Sequence, residues 1–265
     1  MGIVSNWLYR LGYVSTGIFI DAARKGDREI LIELLQQKPD LVHSRDSSGW
    51  TAFALAALAG HKDIAQLLIS NGADIEARGE IGYTALHLVA SAGKEDTARY
   101  LMARGADVNA RNDDGATPLH CVALHQTYVP GPRMKKYIEG CRMVARALIE
   151  KRAGVNARDN NGWTPLHVAV HANEPDIAKE LLAGGADPNA RQHLGSTPLH
   201  FALLKEDAGT AVMVEMLVAS GADVNAATNS GITPMTLAQK LSPPITEFLR
   251  AHGAGAPEKN QKIRK

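Results

Sequence analysis

Only two cysteines, Cys121 and Cys141, occur in 265 residues. That is too few for the disulfide framework of a small secreted domain, so the expected setting is a reducing one, the cytoplasm. Aromatic side chains are as sparse, at 5%, and a core filled by Leu, Ile, Val and Ala suits thin regular layers better than one thick centre. Charge of a single sign is missing too: 29 Lys plus Arg stand against 28 Asp plus Glu, a formal charge of +1. No overall basic field therefore points to nucleic acid or an anionic membrane. No run reaches the roughly 18 apolar residues that cross a bilayer; residues 3–20 come nearest and are interrupted by Ser5, Asn6, Arg10, Ser15 and Thr16. No basic segment precedes them as in a signal peptide, and Asn6 stands where a myristoylation signal takes Ser or Thr. The phosphate-cradling, nucleophile-elbow and zincin motifs are absent as well.

What the chain does contain is a period. Thr-Pro-Leu-His stands at 117–120, 164–167 and 197–200, with variants beginning at Thr51, Thr84 and Thr233, so that successive threonines are 33, 33, 47, 33 and 36 residues apart. Gly-Ala-Asp keeps step at 72–74, 105–107, 185–187 and 221–223, and decays to Arg152-Ala153-Gly154 in the fourth unit. Thr is a good N-cap and Pro is tolerated at the first helical position, so each Thr-Pro predicts a helix start. Gly26, Gly60, Gly93 and Asn173 suit the left-handed residue that ends such a helix. Asp63, Asp96 and Asp176 then meet the positive end of a second helix, whose apolar residues recur at helical spacing, as in Ile64, Leu67 and Leu68.

Two registered markers at one period resemble the ankyrin repeat from about Phe19 to Gly253. The resemblance implies an all-α solenoid of about seven stacked helix-turn-helix units with short β-turn fingers, the outer units capping the core. It also implies a non-catalytic scaffold without cofactor or metal, a monomer that binds a protein partner on the concave face of finger tips and first helices. Such proteins include resident scaffolds and secreted effectors. Residues 1–18 read as an N-terminal extension: Ile3, Val4, Trp7, Leu8, Leu11 and Val14 would form one stripe on a capping helix. A membrane-tethered adaptor anchored through this segment is the alternative, weakened by its single cation, Arg10. The array spans 19–253, with 14 additional residues near 124–140 where Pro130-Gly131-Pro132 forbids a continuous helix. Residues 254–265 read as a disordered basic tail.

Candidate partner-binding residues come from the positions that vary. The residue before each motif Thr lies on the finger and reads Trp50, Tyr83, Ala116, Trp163, Ser196 and Ile232; Trp50, Tyr83 and Trp163 are of the type enriched at interface hot spots. Six places before the Thr stand Arg45, Arg78, Arg111, Arg158 and Arg191, a row that could hold an acidic patch, or could pair with Asp46 and Asp159. Leu58 and His171 sit at the inner end of first helices. His87, His120, His167 and His200 share one motif position, which the family uses for hydrogen bonds within and between repeats. His120, Cys121, His125 and Cys141 could be assembled into a zinc site on paper, but no paired ligand spacing supports it; Cys121 reads as a small core residue, and Cys141 as the start of a second helix.

Overall fold

The computed structural model describes residues 16–124, 132–205, 208–241 and 243–255. Among them, fourteen α-helices pair into seven hairpins. The first helices are α1 (Thr16–Lys25), α3 (Ala52–Ala59), α5 (Ala85–Ser91), α7 (Pro118–Cys121), α9 (Pro165–His171), α11 (Pro198–Ala202) and α13 (Pro234–Ala238). The second helices are α2 (Arg28–Gln37), α4 (Lys62–Ser70), α6 (Glu95–Ala103), α8 (Pro132–Glu150), α10 (Pro175–Ala183), α12 (Ala208–Ala219) and α14 (Pro243–Ala251). Each first helix packs on the next first helix, and α6, α8, α10 and α12 pack in the same succession behind them.

Local chemistry accounts for the hairpins. Thr51, Thr164 and Thr233 cap α3, α9 and α13, their hydroxyls accepting backbone N–H groups three residues on at 3.2–3.4 Å. Pro occupies the first turn of α7, α9, α11 and α13, where a missing N–H costs nothing. The first helices of repeats one, two, three and five are followed by the left-handed residues Gly26, Gly60, Gly93 and Asn173. Between the layers Leu31, Leu34, Ile64, Leu68, Leu86, Leu101, Leu119, Leu148, Leu166 and Ile177 are fully enclosed, an aliphatic core as thin as the composition implies.

Two sets of hydrogen bonds join the units. On the finger side the N–H groups of Asp113, Asn160, His193 and Asn229 donate to carbonyls of the preceding finger at 2.9–3.2 Å. In the segments that lead from a second helix into the next finger, Asn156 and Asn189 each work twice: Oδ1 accepts the N–H of Asp187 or Asp223, and Nδ2 donates to the carbonyl of Gly185 or Gly221. Asn225 repeats the pattern toward Gly255 and Gly253.

The fourth unit corrects one expectation. Its second helix begins at Pro132, the second proline of Pro-Gly-Pro, and runs 19 residues, so Cys141 lies in mid-helix rather than at its start. The added turns lean on the third repeat: Tyr137 Oη donates to the Ser91 carbonyl at 2.5 Å, and Gly140 abuts Gly93. The stripe of residues 1–15, the loop 125–131 with His125 and Tyr128, and the tail from 256 onward lie outside the described residues.

Candidate protein-binding face

Each finger is a small hairpin held by its own first residues. Asp159 donates its N–H to the Trp163 carbonyl, and its Oδ1 accepts the N–H groups of Asn161 and Trp163 at 2.8 Å. Asp46 does the same for Ser48 and Trp50 at 2.9 Å. Their nearest cations differ from the expected pairing within each finger: Asp46 takes Arg24 at 3.8 Å, and Asp159 is occupied by backbone.

The arginine row runs from finger to finger. Arg45 Nη1 donates to the Gly49 carbonyl at 2.7 Å and to the carbonyl of Arg78; Arg158 Nη1 donates to the Arg191 carbonyl and Arg191 Nη2 to the Ala227 carbonyl, each at 2.5 Å. Arg78 instead stands 3.9 Å from Asp113 Oδ1, and Arg111 Nη2 lies beside Gly115. A guanidinium has five donors, so these bonds fix the row while leaving N–H groups toward solvent.

The aromatics are half-buried against the following repeat. A Cβ on Gly79 would come within 2.2 Å of Trp50 Cε3, so the indole rests directly on that glycine. Trp163 has its ring centroid 4.5 Å from Phe201, 5.3 Å from His171 and 6.0 Å from His167. Tyr83 meets His87 edge to face at 5.4 Å, and burial raises its hydroxyl pKa. Leu58 is half-buried on the core. His171 is exposed; desolvation and then neighbouring Lys205 lower its pKa, and Lys205 Nζ donates to its carbonyl at 2.5 Å.

The four motif histidines are connectors. Nδ1 of His87, His120, His167 and His200 accepts the N–H of the capping Thr at 3.1–3.2 Å. Nε2–H then donates to the carbonyls of Ala116, Trp163, Ser196 and Ile232 in the next finger at 3.0–3.3 Å. Burial favours the neutral ring and pushes the pKa of His87 and His167 down to about 4. Both nitrogens of His120 are thereby committed. Burial also pushes the Cys121 thiol up to about 12 and the Cys141 thiol up to about 11, away from the thiolate that zinc requires.

Two exposed side chains, Ile81 and Leu194, were not singled out in the sequence. Ile81 and Leu194, three places before the motif Thr, stand at finger tips with 51% and 70% of their surface exposed; Leu204, at the end of the sixth first helix, is 59% exposed. Ile232 joins them on the seventh finger. The available signal was the tip position itself, which reads Ser48, Ile81, Asp114, Asn161, Leu194 and Ser230, two aliphatics in a polar column. Ile81 even holds φ at 52°, a costly conformation for a β-branched residue.

Stacked hairpins, capped fingers and histidine connectors define a repeat scaffold. The matching sequence families are ankyrin repeats (3 copies) over residues 15–79 and 111–192, ankyrin repeats (many copies) over 86–129, and the single ankyrin repeat over 194–229. The chain belongs to the ankyrin repeat family. Among similar solved structures is the crystal structure of the ankyrin repeat domain of Bcl-3, described as a unique member of the IkappaB protein family. It is 28% identical, with TM-score 0.71, over 88% of this chain and 97% of that one. A search of curated protein sequences returned no match. None of the helices searched among the described residues is long and apolar enough to cross a membrane.

Proposed function

We propose that this chain is a non-catalytic scaffold that holds a protein partner on its concave face and finger tips. Ankyrin repeats are generally protein-interaction modules, and the matching families describe repeats rather than a catalytic domain. The observation that carries the reading is the exposure of Ile81, Leu194, Leu204 and Ile232 on a scaffold whose buried motif histidines and caps are already engaged. Trp50, Tyr83, Trp163, Leu58 and His171 would form the apolar ground beneath them. The remaining N–H groups of Arg45, Arg78, Arg111, Arg158 and Arg191 would meet carboxylates of the partner.

Affinity capture followed by mass spectrometry, comparing the native chain with Ile81→Ser/Leu194→Ser/Leu204→Ser, tests this. The partner recovered by the native chain is expected to fall about tenfold or more, as for hot-spot residues, with little change in the melting curve because all three side chains are exposed. Trp50 and Trp163 are poorer probes, since each also packs against the next repeat. Undiminished capture would move the site off the concave face.

A further inference from the structure

The two halves of the concave face differ in charge. In the fingers and first helices of repeats two to four, Arg45, Arg78 and Arg111 are balanced by Asp46, Glu80, Asp113 and Asp114. In repeats five to seven, Arg158 and Arg191 of the fingers, with Lys205 and Lys240 just beyond α11 and α13, stand beside a single carboxylate among the described residues of the same stretch, Asp159, and that carboxylate already accepts two backbone N–H groups. Glu206 and Asp207, which follow Lys205 in the sequence, lie outside the described residues.

Exposed apolar surface follows the same division. Leu194, Leu204 and Ile232 belong to repeats six and seven, against Ile81 in repeat three. Phe201 on α11 is buried and carries Trp163 against it, a packed base beneath the exposed Leu204 at the inner end of that helix. Along that inner end the exposed cation Lys240 occupies, in repeat seven, the place of Leu204 and His171 in the two repeats before it.

Resting on the proposed function, we infer that repeats five to seven receive an acidic amphipathic segment of a protein partner. Its aliphatic or aromatic side chains lie along Leu194 and Leu204, and its carboxylates reach Arg158, Arg191 and Lys240. Charge complementarity selects the acidic partner, because among the described residues of these fingers and first helices Asp159 is the one carboxylate beside Arg158, Arg191 and Lys240. Aliphatic tips favour a peptide over a nucleic acid, whose bases need aromatic platforms, and the Trp163 ring is spent on Phe201 and His171.

The test pans a display library of random twelve-residue peptides against the full chain and measures synthetic copies of the enriched peptides by fluorescence anisotropy. Enriched peptides should combine Asp or Glu with Leu, Ile or Phe. Leu194→Ser/Leu204→Ser should weaken them about tenfold or more. Lys240→Glu should weaken them severalfold, by a margin that shrinks in high salt, and by more than Ile81→Ser does. Failure to enrich acidic apolar peptides, or their displacement by a twelve-uridine oligonucleotide, overturns the inference. If Ile81→Ser abolishes binding and Leu194→Ser/Leu204→Ser does not, the concave-face reading stands and this inference falls; if neither matters, both fall.

Discussion

A motif histidine here needs one nitrogen without a proton and the other with one. Protonating Nδ1 of His87 would turn its lone pair, which receives the Thr84 N–H, into a second donor facing that donor. The fold therefore holds the ring neutral, and its pKa of about 4, like that of His167, lies below the 6.5 expected in the unfolded chain. The unfolded chain takes up these protons first as pH falls, so the stability contributed by the neutral rings is complete above about pH 6.5 and is lost toward pH 4. By then the loss is about 3 kcal/mol for each of the two. The urea midpoint should be highest near neutrality and drop steeply between pH 6.5 and 4. A flat profile over that window would contradict the neutral connectors. The four histidines could be assigned to this role from their common motif position, but their partner carbonyls, 29 to 43 residues away, belong to the stacking.

Among the elements, α8 departs most from its neighbours. The 47-residue interval and Pro-Gly-Pro located an insertion and a helix stop, yet the extension of the helix back to Pro132 depends on contacts with another repeat. Gly140 sits in that contact: a Cβ there would lie 2.3 Å from the Gly93 carbonyl oxygen, which belongs to backbone and cannot swing aside. Replacing a mid-helix glycine by alanine gains about 1 kcal/mol of helix propensity, whereas overpacking costs about 1–3 kcal/mol. Gly140→Ala should thus be net destabilising, by up to about 2 kcal/mol, measured by chemical denaturation. A stabilised variant would mean that α8 does not rest on the third repeat. Arg142 and Arg146 tie the same helix forward, at 2.6 and 2.7 Å from Glu180 of α10, so α8 bridges three successive units.

Across the described residues of the molecule, the closely packed helices belong to the same or to adjacent units, as expected of a nearly one-dimensional array. Deleting the seventh repeat, from Ala227 onward, should uncover apolar surface on α11 and α12, lower the melting temperature by several degrees and leave most of the helical circular dichroism intact. Collapse of the entire signal would show that the array behaves as a single closed core. At this scale also lies the division of the concave surface into a charge-balanced half and a cationic half, which a formal charge of +1 conceals.

The repeat number, the helix starts at Thr-Pro and the left-handed residues at Gly60, Gly93 and Asn173 were all readable from the chain, because caps and turns are governed by neighbours a few residues apart. The destinations of long side chains were not. Arg158 bonds a carbonyl 33 residues ahead, Trp50 covers Gly79, and Leu194 is left in solvent, although all three stand on fingers of one design. Order along the chain specified the unit and its period; the stacking of units chose which finger side chains join repeats and which remain free, since that choice turns on distances between segments dozens of residues apart.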